Sequence, residues 1–382
     1  MSPIVSVIIP SYNHERYIRQ CIQSVLDQTF QDFEIVITDD GSSDRTVSII
    51  ESFTDSRIKL FKYPVNRGAS IAANNCIRNS HGKYIAMLSS DDVWFSNKLE
   101  VQVNFLENHT DIPVVFSRVE WIDEAGRFLQ GDFPHKNIFN AKNRTRFEWL
   151  RHFFFVGNNL CHPSSLIRRE KYFEIGLLDP SFASLPDFDL WVRFCLKYDI
   201  FILDQPLIYF RRINEWANAS GTNINNLIRN RFEYKQILNR YLTMQDIHDL
   251  LKVFPEAVHY GKVSSDMIPF FLSRIAIDTG IDFRMQWGLD IIRTLLEDLK
   301  IAEKLEYQYK FTHKDFIRLV GECDVYKISL FKMQANFLVR AVDNVSRKNK
   351  LMLSFERYVK QIFLLGKFFI SISKEFLGNI WR

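Results

Sequence analysis

Twice near its N-terminus this chain runs an apolar segment of strand length into a pair of aspartates. Glu34-Ile35-Val36-Ile37-Thr38 leads into Asp39-Asp40-Gly41-Ser42-Ser43-Asp44, and Tyr84-Ile85-Ala86-Met87-Leu88 leads into Ser89-Ser90-Asp91-Asp92. Adjacent carboxylates repel, so four of them at strand ends call for a cation or for hydrogen-bond donors between them. In an open α/β sheet, ligands bind at the carboxyl ends of the strands. A fold that brings both strand ends to one edge builds a polar ligand site with a place for a metal.

The surrounding pattern predicts such a fold. Val5-Ser6-Val7-Ile8-Ile9 reads as a buried strand that stops at Pro10-Ser11-Tyr12-Asn13. Asn13 is a candidate cap for a helix on which Tyr17, Ile18, Cys21, Ile22, Val25 and Leu26 recur at helical spacing. The strand into Asp39 follows, then a helix carrying Val47, Ile50 and Phe53. Next come a strand over Ile58-Lys59-Leu60-Phe61, a turn at Asn66-Arg67-Gly68, a helix over 69–79, the strand into Asp91-Asp92 and a helix over 96–107. Strands alternating with helices predict a mostly parallel sheet with helices on both faces.

After Pro113 the pattern loosens. Residues 114–122 read as a strand and Asp123-Glu124-Ala125-Gly126 as a hairpin turn. A short helix over 147–154, a helix over 187–196 and strands within 200–210 follow. From Asn223 onward, amphipathic stretches with few Gly or Pro, such as 227–242 and 316–342, predict an all-α region. The expected organisation is an α/β domain over 1–222 and a helical domain over 223–382, each with its own core.

Composition narrows the classes. A net charge of +4 gives no dense basic face, so no nucleic-acid partner is expected. The cysteines Cys21, Cys76, Cys161, Cys195 and Cys323 are scattered through apolar runs, which fits a reduced, cytoplasmic protein better than a disulfide framework. The run from Ile4 to Ile9 is short and lacks a basic leader, so no secretory signal is read. No segment approaches the ~20 uninterrupted apolar residues of a membrane-spanning helix. The stretch 358–381 mixes Phe363, Phe368, Phe369, Phe376 and Trp381 with Lys360, Lys367 and Lys374. That composition suits an interfacial helix, and equally a terminal helix packed on its own domain. In the first case the protein sits peripherally at the inner face of the cell membrane.

Three pieces carry chemistry. The loop Asp39 to Asp44 offers carboxylates and hydroxyls before a helix, suited to a nucleobase or ribose and equally to a capping turn. Asp91-Asp92 stands where Mg²⁺ or Mn²⁺ is held by one or two carboxylates plus phosphate oxygens. In Pro186-Asp187-Phe188-Asp189-Leu190-Trp191-Val192-Arg193, Asp187 falls in the first turn of a helix, and Asp189 reads as an i, i+4 partner of Arg193. His162 and Trp191 read as structural.

Together these pieces resemble the family 2 glycosyltransferases, inverting enzymes of GT-A fold that use nucleotide sugars. The resemblance covers residues 4–220. Val7-Ile8-Ile9-Pro10-Ser11-Tyr12-Asn13, Asp39-Asp40-Gly41-Ser42-Ser43-Asp44, Asn66-Arg67-Gly68, Gly82-Lys83-Tyr84-Ile85, Ser89-Ser90-Asp91-Asp92 and Asp187-Phe188-Asp189-Leu190-Trp191 come in the family's order. By that resemblance Pro10, Tyr12, Asp39, Asp40, Asn66, Gly68 and Asp91 would surround the nucleotide. Asp91 and Asp92 would fill the metal role of the Asp-X-Asp motif, and Asp187 would be the catalytic base. It implies Mn²⁺ or Mg²⁺, a nucleoside-diphosphate sugar donor (a UDP-sugar favoured) and a hydroxyl acceptor on a glycan or lipid-linked carrier, as in surface polysaccharide assembly.

Three departures from the family's pattern stand out. Ser89 replaces the first aspartate of Asp-X-Asp, Pro186 replaces the Glu before the base, and Asn214 stands where such enzymes often carry a His. A Ser-X-Asp and an Asn make a weaker metal site, which Arg211 and Arg212 would offset by facing the diphosphate with Asn214. Two other readings stay open. One is a lapsed transferase that binds a nucleotide sugar or a partner. The other is a nucleotidyltransferase, against which Pro10-Ser11-Tyr12-Asn13 lacks a Gly-rich, Arg- or Lys-bearing loop.

Overall fold

The computed structural model describes residues 2–213 and 224–327. The chain opens with β1 (Val5–Ser11), α1 (Ile18–Leu26), β2 (Phe33–Asp39), α2 (Thr46–Glu51), β3 (Ile58–Lys62), α3 (Ala69–Arg78) and β4 (Tyr84–Met87). It continues through β5 (Val93–Trp94), α4 (Lys98–Asn108), β6 (Val114–Ile122), α5 (Arg146–Phe155), β7 (Leu166–Arg168), α6 (Arg169–Ile175), α7 (Pro186–Cys195) and β8 (Phe201–Arg211). Beyond, the described residues form helices: α8 (Ile224–Tyr241), α9 (Ile247–Val253), α10 (Ile268–Asp278), α11 (Asp282–Glu297), α12 (Leu299–Tyr309) and α13 (His313–Glu322), with short 3-10 turns between them.

The strands form one sheet in the order β3-β2-β1-β4-β7-β6-β8-β5. β1, β2, β3 and β4 are mutually parallel, as the alternation of strands and helices predicts. β7 inserts antiparallel between β4 and β6, and β5 runs antiparallel on β8. These two short strands were not expected, because two or three residues carry no periodicity to read. The hairpin turn at 123–126 is present: Gly126 N–H donates to the Asp123 carbonyl at 3.0 Å, and Ile122 bridges Phe128.

Both faces of the sheet are covered, so the central strands are apolar on both sides and read as continuous runs. Along β1, Val5, Val7 and Ile9 face the layer of α1 and α4, while Ile8 faces the opposite layer. That opposite layer does not end with the sheet. Ile8, Val36 and Phe116 belong to the same contiguous cluster as Trp149, Phe154 and Trp191, and as Phe254, Phe270, Phe271 and Trp287 of the helical region. The boundary expected near Thr222 lies outside the described residues, but the core on either side of it is shared. Aromatic edges line the join: Phe154 meets Tyr241 at 5.3 Å and Phe254 at 4.8 Å, and Phe188 meets Tyr234 at 5.1 Å.

No helix among the described residues is long and apolar enough to cross a membrane. The stretch 358–381, with its interfacial composition, lies outside the described residues.

Helix pair α10–α11 packs through Gly288, where a Cβ would stand 2.5 Å from the Ser273 carbonyl oxygen and 2.8 Å from Ile277 Cγ1. Helix propensity alone favours Ala over Gly by about 1 kcal/mol. Close packing reverses that sign, since overfilling a tight contact costs about 1–3 kcal/mol. Gly288→Ala is expected to lower the midpoint of urea unfolding. A raised midpoint would show that α10 and α11 do not approach this closely.

Candidate active site

The carboxyl ends of β2, β1 and β4 lie side by side, because Ser11 is in register with Asp39 and Ile8 with Met87. The two aspartate pairs therefore reach one edge of the sheet. The partners they find there differ from residue to residue.

Asp39 accepts the Ser42 backbone N–H at 2.9 Å and the Ser42 hydroxyl at 2.6 Å. Asp40 accepts the backbone N–H groups of Arg67 and Gly68, each at 2.8 Å, and so ties the loop after β2 to the start of α3. The two loops come so close at Gly41 that a Cβ would lie 2.6 Å from the Val65 carbonyl carbon. Its φ of +76° also favours glycine. The repulsion between these carboxylates is thus offset by hydrogen-bond donors of the chain itself. Asn13 joins the same network. It does not cap α1, whose N-cap is Tyr17 with no side-chain bond. Instead it sits at φ +52°, donates its N–H to the Ser42 hydroxyl at 2.8 Å and accepts from Ser43 N–H at 2.9 Å. Around this cradle Tyr12 is 43% exposed, Asn66 is exposed, and Pro10 and Gly68 are partly accessible.

The second pair divides more sharply. Asp91 is partly accessible. Burial raises its carboxyl, and the charges of His14 and Arg211 work in the opposite direction. His14 was not singled out in the sequence. It is held there by a 2.6 Å hydrogen bond between Nδ1 and the Ser90 hydroxyl. Asp92 is only 1% exposed and accepts the Arg211 backbone N–H at 2.8 Å. Burial, followed by the neighbouring charge of Asp91, pushes its carboxyl well above the ordinary range.

Arg211 departs from expectation. Its guanidinium does not face a diphosphate. It is buried at the end of β8, where Nε donates to the Asp91 carbonyl at 2.6 Å, one terminal nitrogen to the Asp123 and Glu124 carbonyls at 3.0 and 3.2 Å, and the other to Gln20 Oε1 at 2.7 Å. It also lies 5.0 Å from the Tyr17 ring centroid. Arg212 is the more accessible of the two, over the Phe133 ring at 5.1 Å. Asn214 lies outside the described residues.

For a divalent cation, the donor chemistry left at this edge is the single carboxylate of Asp91, since Asp92 turns inward to β8. No group of three His, Cys, Asp or Glu side chains arranged for a metal occurs among the described residues. One carboxylate still fits the way Mg²⁺ or Mn²⁺ is held when phosphate oxygens complete the shell.

Asp187 opens α7 directly after Pro186, at a helix start that suits a carboxylate. Asn158 Nδ2 donates to its Oδ2 at 2.9 Å. Burial pushes its carboxyl up to about 6, with a smaller contribution from the charge of Glu233. The buried Cys161 thiol is raised by burial first, and then by the charges of Asp92 and Asp187, so both carboxyls act on the same group. Asp189 has the structural role read for it, 2.8 Å from Arg193 Nε and fully buried. His162 is half-buried, in a T-shaped contact with Trp191, and desolvation pushes it down to about 4, so it packs as a neutral side chain. Trp191 is core.

Sequence reasoning assigned no chemistry to the helical region. Yet α8 places Glu233 on the backbone of Leu185 and Tyr234 against Phe188, two residues before and one after Asp187. The only signal was a carboxylate at position 233, on a helix that otherwise reads as an ordinary amphipathic one.

Comparison with known proteins agrees with this geometry. Residues 6–174 match the family described as Glycosyl transferase family 2. The chain is 35% identical over 243 residues to a protein of Rickettsia prowazekii named as an uncharacterized glycosyltransferase, covering 63% of this chain and 72% of that protein. It is 39% identical over 140 residues to the Escherichia coli UDP-Glc:alpha-D-GlcNAc-diphosphoundecaprenol beta-1,3-glucosyltransferase WfgD, covering 36% of this chain and 54% of that protein. Among solved structures, S. aureus TarS in complex with UDP-GlcNAc superposes with a TM-score of 0.53 at 18% identity, over 86% of this chain and 92% of that one. At that identity the likeness speaks to the fold.

Removing the Arg211 side chain takes the donor from the Asp91, Asp123 and Glu124 carbonyls, which belong to partly buried residues, and empties a buried site; a buried group left unsatisfied costs about 1–3 kcal/mol. Arg211→Ala is expected to cut the stability measured by urea unfolding by at least about 2 kcal/mol. An unchanged unfolding midpoint would contradict the structural role given to Arg211.

Proposed function

The chain belongs to glycosyl transferase family 2, and from that premise we propose that it is an inverting transferase that moves a sugar from a UDP-sugar to a hydroxyl acceptor, with Asp187 as the base. The observation that carries the proposal is Asp187 itself. It is a carboxyl raised to about 6 at the start of α7 and oriented by Asn158, acting with Asp92 on the same Cys161 thiol.

The chemistry follows from what each group can do. An acceptor hydroxyl is far too weak an acid to ionise near neutrality, so its proton must leave as the bond to the anomeric carbon forms. A carboxyl near 6 is mostly ionised at neutral pH and basic enough to take that proton. One base opposite the departing diphosphate fits a single in-line displacement and inversion of the anomeric centre. The departing nucleoside diphosphate gains negative charge and needs fixed positive charge or donors nearby. Arg212 and Asn214 are the residues proposed to face it. Asp91 would hold Mn²⁺ or Mg²⁺, which when bound supplies Lewis-acid stabilisation of that charge. The loops of Asp39–Asp40 and Asn66–Gly68, with Tyr12 and Pro10 above them, would receive the nucleoside.

The choice of UDP is supported by WfgD and by TarS, whose names or titles carry UDP-Glc and UDP-GlcNAc. The WfgD acceptor, a diphosphoundecaprenol-linked sugar, supports a lipid-linked or glycan acceptor here, in surface polysaccharide assembly. A peripheral position at the inner membrane face is proposed on the same ground.

A thermal-shift screen of UDP-, GDP- and dTDP-sugars with and without Mn²⁺ is expected to single out a UDP-sugar. Stabilisation by GDP-sugars alone would overturn the donor assignment. Asp187→Asn should abolish transfer and donor hydrolysis while leaving UDP affinity intact, whereas wild-type turnover would remove Asp187 from the base role. The wild-type rate should fall as pH drops through about 6, because protonation removes the base, and stay level above it. Asp91→Ala should weaken UDP binding in Mn²⁺ by calorimetry, and an unchanged affinity would discount the metal role of Asp91.

A further inference from the structure

Glu233 lies on α8, outside the reaction chemistry described so far, yet it is only 1% exposed. Its carboxylate accepts three consecutive backbone N–H groups. Oε1 accepts from Ala183 at 2.9 Å and Ser184 at 3.2 Å, and Oε2 accepts from Ser184 at 3.0 Å and Leu185 at 2.7 Å. These are the last donors before Pro186, which has no N–H, and the next residue is Asp187. Burying a carboxylate is costly unless donors surround it, and here the donors are the segment that delivers the base.

The same segment is held from the α/β side. Asn74 of α3 exchanges two hydrogen bonds with the Leu178 backbone at 2.7 and 3.1 Å, and Ser70 donates to the Phe182 carbonyl at 3.1 Å. Two turns further along α8, Arg240 donates to Asp189 Oδ1 at 2.7 Å. Helix α8 therefore grips the start of α7 on both sides of Asp187, and Glu233 is the grip nearest the base.

We propose that Glu233 is a positioning residue for glycosyl transfer, fixing the segment 183–185 so that the Asp187 carboxylate stands at the acceptor hydroxyl. The proposal rests on Asp187 being the base. Glu233 also adds a negative charge near Asp187, which raises the pH at which the base protonates. The charge of Asp187 also acts on Cys161 after α5, Tyr172 of α6 and Tyr234 of α8, and that of Arg284 of α11 on Tyr234. Glu233 is the carboxylate that the helical region supplies, and Asp92 acts with Asp187 on the Cys161 thiol.

The test uses the full chain and follows UDP release from UDP-glucose or UDP-N-acetylglucosamine, whichever the thermal screen selects, with water as acceptor. Glu233→Gln and Glu233→Asp are each expected to lower kcat about ten- to a hundred-fold, the scale of a base misplaced by roughly 1 Å, with UDP affinity unchanged by calorimetry. The pH profiles separate position from charge. Glu233→Gln removes the charge, so its acid limb should move to lower pH. Glu233→Asp shortens the arm but keeps the charge, so its limb should stay near that of the wild type. Wild-type kcat in both variants overturns the proposal, as does a loss of UDP affinity that matches the loss of kcat. Should Glu233→Gln fail to fold, the kcat and UDP affinity of Glu233→Asp decide alone. An active Asp187→Asn variant is a different failure, in which the base assignment falls and Glu233 has no base to position.

Discussion

The carboxylate of Asp92 takes the backbone N–H of Arg211 at 2.8 Å, across 119 positions of chain, and the ligand edge of the sheet is built around that bond. It joins the segment between β4 and β5 to the end of β8. The Arg211 side chain then doubles back to the Asp91 carbonyl, the turn at 123–124 and Gln20 of α1. Four separate segments are fixed by one carboxylate and one guanidinium. The buried Arg211 guanidinium is offset by its several directed acceptors, while burial raises the Asp92 carboxyl that holds the Arg211 N–H.

The same device recurs around the edge. Asp40 holds the backbone before α3, and Glu233 holds the backbone before α7. In each case a buried carboxylate gathers the N–H groups of a loop that precedes a helix, where donors lack partners within the helix. The loops that line the site are thereby rigid without regular secondary structure of their own. A transferase needs that rigidity, since small errors in the placement of a base cost orders of magnitude in rate.

The shared core gives the helical region a part in this. Trp191 and Phe188 of α7 pack between the sheet and the aromatic wall formed by Tyr234, Tyr241 and Phe254. A separate domain with its own core would leave α7 free to shift against α8. One continuous core sets Glu233 and Arg240 at fixed distances from the start of α7.

Much of the fold was legible in the sequence, since apolar runs bounded by turn residues mark β1, β2, β4 and β6, and helical spacing marks α1, α3 and α7. The family was legible because its pieces stand in order along the chain. Local pairing was legible too, as with Asp189 and Arg193, which lie one helical turn apart. What the sequence alone could not determine is which carboxylate of each pair faces a ligand and which holds the protein together. Asp92 and Arg211 looked like ligands for metal and diphosphate because their residue types suit both tasks, and only the tertiary fold turns them inward. Glu233 looked like any charged residue on an amphipathic helix until α8 packed it against the segment before Asp187. Residue type and spacing determine the secondary structure and the chemistry on offer. The partner of a buried charge lies tens of residues away, so only the assembled fold decides how that chemistry is used.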